Sequence, residues 1–252
     1  MNNRYGTLAS WVYNLDKPVG RSFGDVEYYR QRLHDCAGPI LEPAVGNGRF
    51  FIPMLEAGLA IEGFDPSEEM LGYCRKQCRE RGLKPKLSRQ TFEDFSSDRK
   101  FEAIVVPLGS FQLITDLESA KNVLKRFHDH LAPNGRLMVD LDSIGGFLGA
   151  DGRVRSWTTE GGDLLTLTEN RVETDYVAQK TVSHLRYEHW RAGKLVDAEL
   201  ELFSLRWWGV EEFKMALREA GFTDVVASGN YQFGQAPQKA DNTFSFEARR
   251  PA

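Results

Sequence analysis

The 252-residue sequence lacks three features, each of which would mark a class of protein: many cysteines, a long apolar run and an excess of positive charge. Three cysteines are too few, and odd in number, for a disulfide framework. There is no apolar run of about 18 residues and no apolar signal-peptide core, so we expect a cytoplasmic protein that does not cross a membrane. The net charge of −4 argues against nucleic acid and favours a small molecule as the partner.

The composition is ordinary for a globular protein, with 41% hydrophobic and 27% charged residues. The length suits one α/β domain with an insertion, or two small domains. Cys74 and Cys78 are four residues apart on a predicted helix, but no third or fourth metal ligand accompanies them. We therefore expect structural thiols and no metal site.

The stretch from Pro39 to Asp65 organises the rest of the chain. Its pattern predicts a short buried strand, a small-residue turn, a helix that Gly58 ends, and a second strand that ends at Asp65. Two parallel strands joined by a helix bring the turn and the acid to the same edge of a sheet. The glycines of the turn, Gly46 and Gly48, permit unusual backbone angles and remove the Cβ that would hold a ligand away. Asp65 is placed to accept hydrogen bonds from both hydroxyls of a ribose, so the stretch predicts a nucleoside site.

Two phosphate-binding motifs do not fit this stretch. The dinucleotide motif G-x-G-x-x-G needs a third glycine where Phe51 stands, and a phosphate loop needs Gly-Lys-Ser/Thr where the chain has Asn47-Gly48-Arg49. The residues from Glu42 to Gly48 instead resemble the first motif of class I S-adenosylmethionine-dependent methyltransferases, with Ala44 in the first glycine position. The resemblance implies S-adenosyl-L-methionine as the cofactor.

In the resembled family, the turn after the second strand lines adenine, and the loop after the fourth strand lies beside the methyl group. Thr91 stands where the family often has an acid facing adenine, so we expect adenine recognition to rest on the backbone amide of Phe92 and on packing, with Glu93 and Asp94 facing solvent. The cofactor-binding residues that we predict are Tyr13, Glu42, Ala44, Gly46, Asn47, Gly48, Asp65, Pro66, Met70, Thr91, Phe92, Pro107 and Leu108.

The segments around residues 101–107, 116–131 and 136–141 resemble the fourth strand, the following helix and the fifth strand of this family. A helix over 209–220 and strands at 222–227 and 243–249 would complete the sheet. We therefore predict an α/β fold with a doubly wound, seven-stranded, Rossmann-like methyltransferase sheet. The predicted methyltransferase domain comprises residues 24–142 and 209–252, and residues 1–23 form an arm that covers the cofactor site.

Residues 143–208 are rich in strand-forming residues and hairpin turns, which predicts an inserted antiparallel β meander. This subdomain would be either a wall over the substrate or the surface of a homodimer. His184 and Tyr187 lie on opposite faces of one of its strands, and we name them as candidate catalytic or substrate-contacting residues. A histidine on a sheet is also commonly without function, so the catalytic residue stays open.

We expect the protein to move a methyl group by in-line displacement from S-adenosylmethionine onto an N or O nucleophile of a small molecule. One alternative is an NAD(P)-dependent Rossmann oxidoreductase or epimerase, which the missing third glycine disfavours. Another is a non-catalytic module that binds a nucleoside without turning over an acceptor.

Overall fold

The computed structural model describes residues 5–149 and 152–252, and two β-sheets form its framework. The strands of the larger sheet are β1 Ile40–Pro43, β2 Ile61–Phe64, β3 Lys86–Ser88, β4 Phe101–Val106, β5 Leu131–Asp142, β10 Thr223–Gly229 and β11 Thr243–Arg249. The strands of the smaller sheet are β6 Arg153–Thr158, β7 Leu164–Asp175, β8 Lys180–Arg191 and β9 Lys194–Arg206. The helices are α1 Thr7–Asp16, α2 Asp25–Arg32, α3 Phe51–Glu56, α4 Glu68–Glu80, α5 Leu117–His130, α6 Ile144–Phe147 and α7 Val210–Glu219.

The larger sheet has the strand order β10-β11-β5-β4-β1-β2-β3. Strands β1 to β5 pair in parallel, whereas β11 is antiparallel to both β5 and β10. This arrangement confirms the predicted seven-stranded sheet with a terminal hairpin. Because β1, β2, β4 and β5 all run in one direction, the loops that follow them meet at one edge of the sheet.

Helices cover both faces of the larger sheet, so its central strands are apolar on both sides. All six residues of β4 except Glu102 are buried. One face packs against apolar side chains of α2, α3 and α4, and the thiols of Cys74 and Cys78 lie in this layer. The other face packs against α5 and α7, where Phe127 and Phe213 are fully buried. The two layers hold the strand ends rigidly at the carboxyl edge.

The smaller sheet is the antiparallel meander that the sequence predicts, with the order β6-β7-β8-β9. Residues on one face of this sheet, including Leu165, Leu185 and Tyr187, form an apolar cluster with Leu8 and Val12 of α1. Helix α1 therefore packs directly on the meander.

Helix α1 was not predicted, because nothing in its own sequence caps it. Gly6 stands at its N-cap without a side chain, and the carboxylate of Glu199 on β9 accepts a hydrogen bond of 2.8 Å from the amide of Leu8 instead. A carboxylate at a helix N-terminus is electrostatically favourable. The helix thus depends on a residue almost two hundred positions away, which local reasoning does not find. Residues 1–4 of the predicted arm lie outside the described residues.

The structure also differs from the sequence prediction at β5 and at α6. Strand β5 begins at Leu131 rather than Arg136, because the chain passes through an irregularity inside the strand, with Asn134 at φ +63°. The four-residue helix α6 was not predicted. Within residues 5–149 and 152–252, every helix is too short or too polar to cross a bilayer.

Candidate active site

The loop after β1 turns sharply through three residues with left-handed backbone angles. These are Ala44 at φ +55°, Gly46 at φ +56° and Gly48 at φ +87°. An alanine in this region costs about 1 kcal/mol relative to glycine. Ala44, in the first glycine position of the motif, therefore adopts a backbone conformation that favours glycine, so the departure from the motif costs stability.

The two glycines have different reasons for lacking a side chain. A Cβ on Gly46 would meet no atom within 4 Å, so this position opens onto free space. A Cβ on Gly48 would lie 2.7 Å from the sulfur of Cys74 and 2.9 Å from Ile52. The expectation that both glycines make room for a ligand is therefore wrong for Gly48, which makes room for the packing of α3 and α4 against the loop.

Asp65 follows β2 and ties this edge of the sheet together. Its Oδ2 accepts a hydrogen bond of 2.9 Å from the amide of Gly46, and its Oδ1 accepts one of 2.8 Å from the amide of Ser67. Ser67 in turn caps α4 by accepting from the amide of Met70. Each carboxylate oxygen has a second lone pair, so Asp65 can hold the loop and still accept from a ligand.

A cavity of about 290 Å³ opens beside Asp65 at the carboxyl edge of the larger sheet. Its lining includes eight of the predicted cofactor-binding residues: Tyr13, Ala44, Gly46, Asp65, Pro66, Met70, Thr91 and Phe92. Five others do not line it: Glu42, Asn47, Gly48, Pro107 and Leu108. The structure therefore gathers eight of the thirteen predicted residues around one cavity and leaves the other five outside its lining.

Two of the residues outside the lining, Asn47 and Glu42, differ in their contacts. The side-chain amide of Asn47 donates to Asn14 of α1 at 3.2 Å and to the carbonyl of Lys17 at 2.9 Å, which joins the arm to the loop. Glu42 is 2% exposed, and its Oε2 has no hydrogen-bond partner in the described part of the chain. Burial raises the pKa of Glu42 well above its ordinary value, and Arg49 opposes this shift. Glu42 is thus a buried acceptor without a donor.

Pro107 and Leu108 are held in place by a buried carboxylate. Oδ2 of Asp140 on β5 accepts from the amide of Leu108 at 3.0 Å and from the hydroxyl of Tyr231 at 3.0 Å, and Oδ1 accepts from the hydroxyl of Tyr29. Burial raises the pKa of Asp140 to about 7, although the hydrogen bonds from Tyr29 and Leu108 lower it. The sequence pattern did not single out Asp140.

The cavity wall also contains residues that sequence reasoning missed. Tyr5 contributes from the arm, Ser110 and residues 113–116 contribute from the segment after β4, and Ser204 contributes from the meander. Glu93, which was expected to face solvent, is exposed and also lines the cavity. The many aromatic residues of the arm could have indicated Tyr5 as a residue of the cavity wall. Nothing in the sequence around Ser204 indicated that it lines the cavity.

The hydroxyl of Thr91 has a local role as well as a place in the cavity wall. It accepts from the amide of Asp94 at 3.2 Å, and the Thr91 amide donates to the Asp94 carboxylate at 2.6 Å. The two residues close a tight turn.

Neither catalytic candidate on the meander lines the cavity. Tyr187 is 4% exposed and lies under α1 in the apolar cluster. Burial raises the pKa of its hydroxyl, and nearby Glu201 adds to this shift. His184 alternates with Tyr187 and lies on the opposite face, away from α1.

The comparisons with known proteins agree with this geometry. Residues 40–135 match the sequence model of a methyltransferase domain family. Over 218 residues the chain is 24% identical to glycine/sarcosine N-methyltransferase of Aphanothece halophytica, covering 84% of this chain and 77% of the relative. The chain is a class I S-adenosylmethionine-dependent methyltransferase.

Solved structures establish the same fold for the methyltransferase as a whole. An S-adenosylmethionine-dependent methyltransferase from Clostridium acetobutylicum superposes with a TM-score of 0.76 at 18% identity, covering 96% of this chain and 98% of that chain. The sugar N-methyltransferase KedS8 from a Streptoalloteichus species gives a TM-score of 0.74 at 18% identity, covering 100% of this chain and 96% of that chain. Both alignments include the meander.

The residues of this methyltransferase fit the cofactor. The free lone pairs of Asp65 suit ribose hydroxyls, and Met70 and Phe92 offer apolar surface to adenine. The unpartnered Oε2 of Glu42 suits an ammonium group, which would satisfy a buried acceptor. The open space at Gly46 allows the ligand to approach the backbone.

Proposed function

We propose that this methyltransferase moves the methyl group of S-adenosylmethionine onto the nitrogen of a small polar amine. The observation that carries the proposal is the 290 Å³ cavity at the carboxyl edge of the sheet, where Asp65, Gly46 and Met70 face the same space. The names of the relatives support nitrogen as the acceptor atom, since they include a glycine/sarcosine N-methyltransferase and a sugar N-methyltransferase.

The bound cofactor supplies a methyl group on a positively charged sulfur, so the protein has to position the acceptor and exclude water. In the proposed complex Asp65 accepts from the ribose, Glu42 from the ammonium of the methionine part, and Tyr13 covers the site from above. Asp140 fixes the loop at Leu108, beside which the methyl group would lie. These assignments rest on the contacts described above and on the resemblance to the family.

We further propose roles for the parts of the chain. Residues 1–23 act as a cover over the cofactor, because the arm is tied to the loop through Asn47. Residues 143–208 act as a wall over the acceptor, because Ser204 lines the cavity and α1 packs between the meander and the loop. A homodimer through the meander and a cytoplasmic location are the remaining proposals, which gel filtration at several concentrations and cell fractionation would test.

Calorimetry and turnover together test the proposed function. The protein should bind S-adenosylhomocysteine at one site per chain, and labelled methyl from S-adenosylmethionine should appear on at least one compound in a panel of primary and secondary amines. Binding without transfer to any amine, alcohol or phenol would indicate a nucleoside-binding module. Transfer to hydroxyl compounds alone would contradict nitrogen as the acceptor. An increase of NADH fluorescence on mixing, without S-adenosylhomocysteine binding, would favour an oxidoreductase.

A further inference from the structure

A second cavity of about 260 Å³ lies between the end of β5, α6 and the meander. Asp142 lines it, and Asp142 also borders the loop after β4, since a Cβ on Gly109 would lie 3.1 Å from its Oδ2. The cavity therefore begins beside the loop where the methyl group of the cofactor would lie.

The carboxylate of Asp142 is available to a ligand. Its backbone is held by Gln112, whose side-chain oxygen accepts from the Asp142 amide at 2.8 Å. Its side chain makes no hydrogen bond or ion pair within residues 5–149 and 152–252. Desolvation raises its pKa, and Lys17 opposes this shift. A partly desolvated carboxylate without a donor suits an amine.

The rest of the lining is polar and rich in hydrogen-bonding groups. Hydroxyls come from Thr181, Ser183 and Thr243, and an amide comes from Asn242. Arg153 and Glu169 are cross-strand partners on β6 and β7, so they add a donor and an acceptor to the lining with opposite charges. Groups of this kind pair with the hydroxyls of a polyol, whose oxygens both donate and accept.

Apolar surface is also present, but only on part of the wall. Phe147 and Phe203 line the cavity, and Phe147 packs edge-on against Trp207 with ring centroids 6.5 Å apart. Aromatic rings beside hydrogen-bonding groups suit a ring-shaped molecule with one face of C–H groups. A long alkyl amine would leave the polar groups of the wall without partners, which is costly.

We infer that this second cavity is the acceptor subsite, that its ligand is a polyhydroxylated amine, and that Asp142 is the catalytic residue that contacts the reacting nitrogen. The inference rests on the proposed function and extends it by naming the subsite, the base and the acceptor class. Asp142 takes a proton from the ammonium form of the acceptor, and the N–H bonding pair stays on nitrogen. The nitrogen then forms the new N–C bond to the methyl group, the S–C bond breaks, and its pair remains on sulfur.

The first test compares amine acceptors of different chemistry on the wild-type protein. Glucosamine and 4-amino-4-deoxyglucose carry an amine among hydroxyls, cyclohexylamine keeps the ring without the hydroxyls, and glycine is an amine with a carboxylate. Turnover and calorimetric binding to the S-adenosylhomocysteine complex should favour at least one amino sugar over cyclohexylamine and glycine by tenfold or more. Equal or better use of cyclohexylamine or glycine, or no binding of either amino sugar, would overturn the acceptor class.

The second test uses Asp142→Asn and Ser183→Ala, with Thr168→Ala on the opposite face of the meander as the control. Asp142→Asn should lower kcat with the preferred amine at least a hundredfold and move the acid limb of its pH profile up to the pKa of the amine itself, because solvent then has to take the proton. Ser183→Ala should raise KM several-fold with little change in kcat, and Thr168→Ala should change neither. Lys17, Arg153, Glu169 and Arg171 are the other charged groups near Asp142, and all remain in these variants.

Cofactor binding separates failure of this inference from failure of the proposed function. All three variants should bind S-adenosylhomocysteine within about threefold of the wild type, because none of the changed residues lines the first cavity. Intact cofactor binding with wild-type kcat and pH profile in Asp142→Asn would overturn the subsite and leave the proposed function standing. If the wild-type protein does not bind S-adenosylhomocysteine, the proposed function itself is wrong.

Discussion

At the scale of single residues, Asp65 has two roles in one carboxylate. Its oxygens accept from the amides of Gly46 and Ser67, which fixes the loop and the start of α4, and they also face the cavity. Burial raises its pKa to about 6, and the two backbone hydrogen bonds lower it. The residue is therefore close to its titration point near neutral pH.

Replacing Asp65 by asparagine should weaken cofactor binding. The amide keeps one accepting oxygen and replaces the other with a donor, which removes a charged acceptor for a ribose hydroxyl and opposes the Gly46 or Ser67 amide. We expect a loss of about 1.5–3 kcal/mol, or roughly 10- to 150-fold in the dissociation constant of S-adenosylhomocysteine. Titration calorimetry measures it, with Asp98→Asn on the exposed surface as the control. Unchanged affinity in Asp65→Asn would refute the assignment.

The pH dependence of cofactor binding should follow the same carboxylate. The ionised form offers lone pairs on both oxygens, so the dissociation constant of S-adenosylhomocysteine should be flat above pH 7 and rise below about pH 6, by up to about tenfold per pH unit. Asp65→Asn should flatten this rise. A wild-type dissociation constant that stays constant from pH 7.5 to pH 5 would contradict the account.

The raised pKa of Asp65 also makes the free energy of unfolding depend on pH. The folded state binds this proton more tightly than the unfolded chain does, so the contribution of Asp65 to the free energy of unfolding is largest at low pH. It is lost as the pH rises from about 4 through the folded pKa of about 6. Above pH 6 the buried carboxylate is ionised, which lowers the free energy of unfolding but provides a charged acceptor at this site.

At the scale of elements, the loop after β1 shows that the two glycines of one motif act differently. Gly46 has open space where a Cβ would project, whereas Gly48 faces Cys74 and Ile52 at less than 3 Å. The sequence motif predicted the turn but not this difference, because the atoms that press on Gly48 belong to α3 and α4. Only the packing of those helices reveals the reason for each glycine.

The variants Gly46→Ala and Gly48→Ala should separate these roles. Gly46→Ala should lower the affinity for S-adenosylhomocysteine at least tenfold and cost about 1 kcal/mol of stability, from its positive φ alone. Gly48→Ala adds overpacking to the same strain, so its free energy of unfolding should fall by a further 1–3 kcal/mol. Urea unfolding and calorimetry on the same samples measure both quantities. The opposite ranking of the two stability losses would contradict the packing argument.

Helix α1 shows where local sequence reasoning stops. Strand β4 could be predicted because its nearly continuous apolar run is typical of a central strand. Helix α5 could be predicted because its apolar residues recur with a helical period. The sequence of α1 has no comparable pattern. The helix is capped by Glu199 and buried by the apolar face of the meander, and both lie far away along the chain. The aromatic residues of the arm suggested a cover over the cofactor, which stays a proposal, but they did not indicate its helix.

At the scale of the whole molecule, the order of strands brings the site together. The ends of β4, β1, β2 and β3 meet at one edge because these strands are parallel neighbours, so the positions of Gly46, Asp65, Thr91 and Leu108 followed from the predicted topology. The contributions of Ser204 and Asp142 did not follow. They depend on how the meander returns to the sheet, and its sequence does not encode that direction in any short pattern.

The crystal structure of the complex with S-adenosylhomocysteine tests the central claim most directly. Our account expects the ribose hydroxyls within about 3 Å of the Asp65 carboxylate, adenine against Met70 and Phe92, and the ammonium group beside Glu42, with α1 ordered over the ligand. A ligand bound elsewhere, or one in this cavity that leaves Asp65 without a contact, would contradict it.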